Sequence, residues 1–140
     1  MKQKFHNVEI NTNGQKLYEF TNQTIEWITK NKFKDGILNL SIQHTSASLI
    51  VQENADPDVK TDLLNYFDNM VPMNNKFYTH TTEGKDDMPA HIKSTLTNNQ
   101  ISLSIKNNKL LLGTWQGIYL FEHRLNPQNR MVIHHFIGDI

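Results

Sequence analysis

The stretch "GILNLSIQHT", residues 36–45, alternates between apolar and polar side chains from Leu38 to Gln43. Such a two-residue period predicts a β-strand that has one apolar face and one polar face. The apolar face ends on a histidine, because it consists of Leu38, Leu40, Ile42 and His44. A strand of this kind belongs to a sheet that covers a core with one face, while solvent or another subunit lies against the other.

Similar patterns predict further strands on both sides of this stretch. They lie at residues 3–11, 16–20 and 46–54, and a final strand covers residues 130–140. Residues 100–124 predict two more strands joined by a turn at Asn107 and Asn108. Together with a few interspersed helices, these mainly antiparallel strands indicate an α+β fold in one domain, residues 1–140.

Three segments have the start signals of helices. The first begins near residue 21, with Thr21 or Asn22 as the predicted N-cap. The second covers residues 55–70, where Asp56 is the predicted cap and Pro57 suits the first helical position. The third covers residues 88–96, and Asp87 just upstream is a candidate cap.

The composition excludes several classes of protein. The 14 basic residues equal the 14 acidic ones, so the chain lacks the positive surface of a nucleic-acid binder. The absence of cysteine excludes disulfides and thiolate metal ligands, which leaves His, Asp and Glu to hold any metal. No apolar run is long enough for a signal peptide or a membrane span, so we expect a cytoplasmic protein.

The segment "HTTEGKDDMPAH", residues 80–91, concentrates ionisable side chains between two histidines. A tight turn at Gly84 would bring His80 and His91 together, and His44 ends the strand described above. Neutral imidazoles are metal ligands, and three of them leave a fourth position open for water or substrate, as in catalytic zinc sites. We therefore predict a divalent metal, with zinc the expected ion, bound by His44, His80 and His91.

Carboxylates near these histidines are candidates for proton transfer. Glu83 has no capping role and is the preferred acid–base residue. Asp87 is a second candidate, although it also suits a helix cap. Glu122, at the end of the strand "GIYLFEHR", is the third.

Hydroxyl, basic and aromatic side chains near the histidines suit a phosphorylated small molecule. Hydroxyls follow His44, and basic residues follow His91 and His123. An aromatic residue and a glutamine in "GTWQG" suit stacking on a ring and hydrogen bonding to it. The predicted substrate-binding residues are Thr45, Ser46, Ser48, Lys93, Ser94, Trp115, Gln116 and Arg124.

Three motifs resemble the YjbQ-like family of small proteins, also called secondary thiamine-phosphate synthases. They are "QHTSASLIVQENADPDVKTDL", "HTTEGKDDMPAHIKSTL" and "LLLGTWQGIYLFEHR", in this order. The matching positions include the three histidines, together with Glu83, Ser94, Trp115, Gln116 and Glu122. The position after Glu122 varies in the family, so His123 ranks below the other three histidines.

The resemblance implies an α+β fold that contains a β-sandwich, assembled as a homotrimer with metal sites near subunit boundaries. It also implies a secondary activity, in which a hydroxymethylpyrimidine diphosphate loses pyrophosphate and joins a thiazole phosphate. Two alternatives stay open. One is a metal-dependent hydrolase of a phosphorylated or anionic small molecule, and the other is a non-catalytic trimeric protein that binds a metal or ligand.

Overall fold

The computed structural model of the chain describes residues 1–73 and 76–140. The helices are α1 (Thr21–Lys30), α2 (Pro57–Met70) and α3 (Asp87–Leu96). The strands are β1 (Lys2–Thr12), β2 (Lys16–Glu19), β3 (Gly36–Ile42), β4 (Ala47–Glu53), β5 (Gln100–Lys106), β6 (Lys109–Leu110), β7 (Gln116–Glu122) and β8 (Gln128–Gly138).

The strands form two antiparallel sheets. The larger sheet has the order β1-β8-β3-β5-β6, and the smaller has the order β2-β7-β4. Every pairing within them is antiparallel. In the described part of the chain, eight strands in two sheets with three helices confirm the predicted α+β sandwich.

The larger core lies between the two sheets. Strand β3 buries the apolar face predicted from its alternation, and β7 and β8 contribute their own inward-facing side chains. The fully buried members on these strands include Leu38, Leu40, Ile118, Leu120, Val132 and Phe136. A smaller cluster on the other side of β7 packs Tyr119 and Phe121 against α2. The two faces of β7 are therefore both covered, which explains its nearly continuous apolar sequence.

Helix α2 begins as predicted, whereas α1 does not. The Asp56 carboxylate accepts a hydrogen bond from the Asp58 amide at 2.9 Å, and Pro57 is the first helical residue. In α1 the N-cap position is Phe20, and Thr21 lies inside the helix. The Thr21 hydroxyl instead donates to Glu19 and accepts from the Ile118 amide, so it links α1 to β7.

The prediction of two strands in residues 100–124 is corrected to three. The turn lies at Asn107 and Asn108 as predicted, with φ angles of 51° and 63°. These left-handed conformations suit asparagine in a tight hairpin. After only two residues in β6, the chain leaves the larger sheet and enters the smaller one as β7.

The sandwich brings three segments of the chain together at one edge. Strand β4 begins at Ala47, which pairs with Glu122 at the end of β7. Helix α3 packs on β4, and the loop at residues 43–46 precedes that strand. The histidine-bearing segments therefore meet where β7 ends. Within residues 1–73 and 76–140, no helix has the length and apolar content needed to cross a membrane.

Candidate metal centre

Helix α3 places Asp87 and His91 on one face, because they are four residues apart. The turn at Gly84, with φ of 110°, folds the preceding loop so that His80 reaches the same face. Nε2 of His80 lies 2.6 Å from Asp87 Oδ2, and Nε2 of His91 lies 3.2 Å from the same oxygen. One atom from each of the three side chains lies within 4.8 Å of the others.

The hydrogen bond to Thr45 fixes the protonation of the His91 ring. A carbonyl oxygen only accepts, so His91 Nδ1, 3.0 Å from Thr45 O, carries the proton. In a neutral imidazole, Nε2 then has a lone pair, and it faces the acceptor oxygen of Asp87. Two lone pairs at this distance repel unless a proton or a metal ion lies between them.

These three side chains are of the types that hold a divalent ion. Zinc bonds to His and Asp are about 2.0–2.2 Å long, so two atoms bound to one tetrahedral zinc lie about 3.3 Å apart. The contact of 3.2 Å between His91 and Asp87 is close to that value. The contact of 2.6 Å between His80 and Asp87 is shorter and is a hydrogen bond, so His80 would have to move away from Asp87 to share the ion. A backbone carbonyl that holds the second nitrogen of a ligating histidine is also typical of metal sites. The donor set His80, Asp87 and His91 is therefore suited to zinc.

Arg124 holds the carboxylates of this centre in place. Its Nη1 donates to Asp87 Oδ1 at 2.7 Å, its Nε donates to Asp86 Oδ2 at 2.8 Å, and its Nη2 donates to Glu83 O. Burial by itself would raise the pKa of the Asp87 carboxyl. The hydrogen bond with His80 and the charge of Arg124 outweigh it, so the pKa lies below its ordinary value. Asp87 is therefore ionised at neutral pH.

Two details of the prediction change at the start of α3. Asp86 occupies the N-cap position, although its side chain makes no capping bond, and Asp87 is the first helical residue. The helix starts earlier than predicted, so His91 lies in its second turn. Asp87 accordingly faces the two histidines and does not cap the helix.

Glu83 is the exposed carboxylate of the centre. Its Oε2 lies 3.6 Å from His80 Nε2, and its side chain is 63% exposed. The backbone oxygen of Glu83 is held by Arg124, so the loop position is fixed while the carboxylate reaches solvent. This arrangement suits the predicted acid–base role, which stays a prediction.

The structure does not bring His44 into the cluster. Its Nε2 accepts a hydrogen bond from the Met131 amide at 3.1 Å, and its Nδ1 faces Arg130 Nη1 at 3.4 Å. Burial and the charge of Arg130 lower the pKa of His44, so its imidazole is neutral. Among the described residues, Asp87, instead of His44, lies with His80 and His91, and the role of His44 as a ligand stays a prediction.

A pocket with a volume of about 360 Å³ lies beside the cluster. His91 borders it, so one imidazole ring contributes to both places. Three predicted site residues line it as well, namely His44, Thr45 and Ser94. Sequence reasoning missed two further lining residues, Thr95 and Asn99, because neither belongs to a motif that suggests chemistry.

The two basic side chains predicted to bind phosphate already form ion pairs with carboxylates of the chain. Lys93 is buried and donates to Asp68 at 2.5 Å, and Arg124 donates to Asp86 and Asp87. The Ser48 hydroxyl is buried between His123 and Thr97. These side chains support the walls of the site and do not reach its opening.

Glu122 is buried beneath the site, with both oxygens hydrogen-bonded. Arg130 donates to the two oxygens at 2.8 and 2.6 Å, and Thr12 adds a bond of 2.6 Å. The same guanidinium donates to Ser46, which fixes the loop after β3. With no exposed oxygen, Glu122 has a structural position instead of the predicted acid–base one.

Arg130 is a residue that the sequence analysis missed. Alternation along β8 gave a usable signal, because Arg130 shares its face with buried Val132, His134 and Phe136. A cation on a core-facing position requires a buried carboxylate partner. Glu122 occupies the equivalent place on β7, after Ile118 and Leu120.

Trp115 and Gln116 lie far from the histidines. They are at the start of β7, whereas Glu122 is at its end, about 20 Å away at 3.3 Å per residue. The Trp115 side chain is 62% exposed, and Gln116 Oε1 accepts from the Gly113 amide. Within one chain, the structure therefore does not place these two predicted binding residues at the candidate centre.

A family model matches nearly the whole chain. Residues 6–139 match the model described as UPF0047 protein YjbQ-like. The UPF0047 protein sll1880 of Synechocystis sp. is 47% identical over 131 residues, which cover 94% of this chain and 89% of that protein. The UPF0047 protein YjbQ of Escherichia coli O157:H7 is 46% identical over 98 residues, 70% of each chain.

Solved structures with the same fold come from bacteria and archaea. A YjbQ/UPF0047 family protein from Clostridium acetobutylicum superposes with a TM-score of 0.83 at 34% identity. The match covers 96% of this chain and 99% of that one. A YbjQ-like protein from Sulfolobus solfataricus reaches a TM-score of 0.86 at 20% identity, over 99% and 100% of the two chains. This second likeness supports the fold alone.

Proposed function

The chain belongs to the YjbQ-like UPF0047 family, and from that premise we propose that it is a divalent-metal-dependent enzyme acting on a small phosphorylated metabolite. One observation carries the proposal. His91 donates from Nδ1 to Thr45 O, and its Nε2, the ring nitrogen left for a ligand, lies 3.2 Å from the ionised Asp87 carboxylate. A cation bound by His80, Asp87 and His91 would lie between these atoms, and zinc is the ion that this donor set suits.

The residues around the proposed ion have separate tasks. A zinc ion held by His80, Asp87 and His91 would supply a Lewis acid for a phosphoryl oxygen. Asp87 is kept ionised and oriented by Arg124, and His91 is oriented by Thr45. Glu83 is exposed beside His80, where its carboxylate can accept a proton from an attacking water and later return it. This set favours hydrolysis of a phosphorylated or other anionic small molecule.

The second candidate is the transfer suggested by the family resemblance. In that reaction a hydroxymethylpyrimidine diphosphate loses pyrophosphate, and the ring nitrogen of a thiazole phosphate takes its place on the methylene carbon. The transfer breaks the bond between the methylene carbon and the pyrophosphate oxygen, whereas hydrolysis at phosphorus breaks a P–O bond and adds the oxygen of water to phosphorus. The pocket of about 360 Å³ beside His91 favours this candidate, because transfer requires space for an organic group next to the proposed ion.

In neither candidate reaction are Arg124 and Lys93 free to bind the phosphate group of the substrate in the way that the sequence predicted. Each cation already donates to carboxylates of the chain, so a phosphate would have to displace Asp86, Asp87 or Asp68. Displacement would leave a buried carboxylate unpaired, which is costly. We therefore assign these two cations to the support of the site.

The test measures pyrophosphate release from hydroxymethylpyrimidine diphosphate by zinc-loaded and chelator-stripped protein, with and without thiazole phosphate. Release that needs zinc but no acceptor supports hydrolysis, and release that needs both supports the transferase. We expect His91→Ala to abolish either activity and His135→Ala, a histidine on the opposite sheet, to retain it. Turnover that survives both metal removal and His91→Ala would overturn the proposal.

The non-catalytic alternative makes a different prediction for the same samples. Zinc would raise the melting temperature, since a ligand that binds only the folded state stabilises it. No phosphorylated substrate in a panel would then be converted. Zinc binding without turnover of any substrate in that panel would favour this alternative.

We also propose that the chain forms a cytoplasmic homotrimer. The outer face of the larger sheet supports an assembly, because Phe5, Ile37 and Ile137 are exposed there. Apolar groups clustered on an open sheet face are typical of subunit contacts. Light scattering after size exclusion measures the mass directly, and a monomer at micromolar concentration would contradict the trimer.

A further inference from the structure

The pocket beside His91 is lined almost entirely by uncharged polar side chains. It lies between the loop that follows β3 and the second half of α3, and it is separated from the metal-ligand cluster by the His91 ring. Six residues line it: His44, Thr45, His91, Ser94, Thr95 and Asn99. None of them carries a fixed charge.

Several of these side chains have unused hydrogen-bonding capacity. Among the described residues, the Thr45 hydroxyl and the Asn99 amide group make no hydrogen bond, so both can donate and accept. The Ser94 hydroxyl donates to Ala47 O, and the Thr95 hydroxyl donates to Ile92 O. Both of these oxygens can still accept a hydrogen bond. The lining therefore offers donors and acceptors side by side.

The charges behind the pocket are already neutralised. Arg130, which faces His44, donates to Glu122 at two positions. Asp87 lies on the far side of His91 and is paired with Arg124. An anion placed in the pocket would lose water without gaining a counter-charge, and that loss is unfavourable.

We propose that this pocket binds an uncharged group bearing both hydrogen-bond donors and acceptors, such as a carboxamide. This inference rests on the proposed function, because the group is the neutral end of a substrate whose anionic end lies at His80, Asp87 and His91. His91 borders both places, so the two ends of the substrate are adjacent. The pocket then selects the substrate by its neutral end.

The test uses two probes of the same shape, nicotinamide and nicotinate, which differ in an amide and a carboxylate. Each is titrated into chelator-stripped, nitrogen-15-labelled protein and followed by the amide signals of Thr45, Thr95 and Asn99. We expect nicotinamide to shift these signals and nicotinate to bind at least tenfold more weakly. Equal or tighter binding of nicotinate, or shifts confined to other parts of the chain, would overturn the inference.

Variants separate this pocket from the metal cluster. Thr45→Val and Asn99→Ala remove groups that make no hydrogen bond among the described residues, and each should weaken nicotinamide binding about fivefold, the value of one hydrogen bond. Thr29→Val, in a different groove beside α1, is the matched control and should have no effect. His80→Ala should leave nicotinamide binding unchanged in metal-free protein. Failure of zinc-dependent turnover would overturn the proposed function, whereas unchanged binding in both pocket variants would overturn this inference.

Discussion

Arg124 donates from Nη1 to Oδ1 of Asp87 at 2.7 Å, which leaves Oδ2 of the same carboxylate facing two imidazoles. One oxygen thus fixes the side chain, and the other is available to a cation. The guanidinium also holds Asp86 and the backbone of Glu83, so it connects the end of β7 to the loop before α3. Arg124 is therefore a positioning residue for the whole centre.

Replacement of Arg124 should weaken zinc binding without unfolding the chain. Loss of a group that orients a metal ligand typically costs 10–100-fold in affinity, so we expect about that change in Arg124→Gln. Competition with a chromogenic chelator measures the dissociation constant. Lys109→Gln, on exposed β6, is the control and should bind zinc as the parent does. Unchanged affinity in Arg124→Gln would refute the positioning role.

The buried pair of Arg130 and Glu122 should matter for stability. Both side chains are at least 95% buried, and Thr12 shares the carboxylate. Removal of one member leaves the other charged and unpaired, which costs about 3–5 kcal/mol. Urea denaturation of Arg130→Met should show a loss of this size, while Lys16→Gln, at an exposed position of β2, should show almost none. A loss below about 1 kcal/mol would mean that the pair is not formed.

The stability of the fold should fall as the pH drops below neutrality. Burial lowers the pKa of His134 from 6.5 to about 4, since its ring is enclosed by Thr24, Phe20 and Trp27. Between these two values the unfolded chain binds the proton and the folded chain does not. Unfolding therefore takes up protons, and stability decreases toward low pH. Burial likewise lowers the pKa of His123, to about 3.

Urea titrations at neutral pH and about two units lower test this dependence. Each buried histidine contributes up to about 1.4 kcal/mol per pH unit. In His134→Gln the side chain keeps a hydrogen-bonding group near Thr24 but does not titrate, so its stability should depend less steeply on pH. The same slope in parent and variant would show that folding does not lower the pKa of His134.

Local patterns predicted the strands because burial on one face imposes a two-residue period. Residues 36–42 form β3 with the predicted face buried, and Asp56 caps α2 as its sequence signal indicates. The cap of α1 was not predictable in this way. The Thr21 hydroxyl accepts a hydrogen bond from Ile118 on β7. The two residues are 97 positions apart, so the local sequence around Thr21 does not predict this contact.

The candidate centre was predictable in its residue types but not in its pairings. The histidine-rich loop indicated His80 and His91 correctly as neighbours, with ring centroids 5.4 Å apart. The choice between His44 and Asp87 as the third group depends on the Met131 amide, which occupies His44 Nε2. Likewise, the sequence predicted that Lys93 and Arg124 bind phosphate, whereas the fold pairs each of them with a carboxylate. These pairings are tertiary contacts, which residue spacing in the sequence does not predict.

Zinc titration of chelator-stripped protein by calorimetry tests the central claim most directly. The account predicts that each chain binds a single ion, and that His80→Ala, His91→Ala and Asp87→Asn each abolish this binding. His44→Ala and the control His135→Ala should bind as the parent does, because both rings lie outside the cluster. Loss of binding in His44→Ala with retention in Asp87→Asn, or no zinc uptake by the parent chain, would contradict the account.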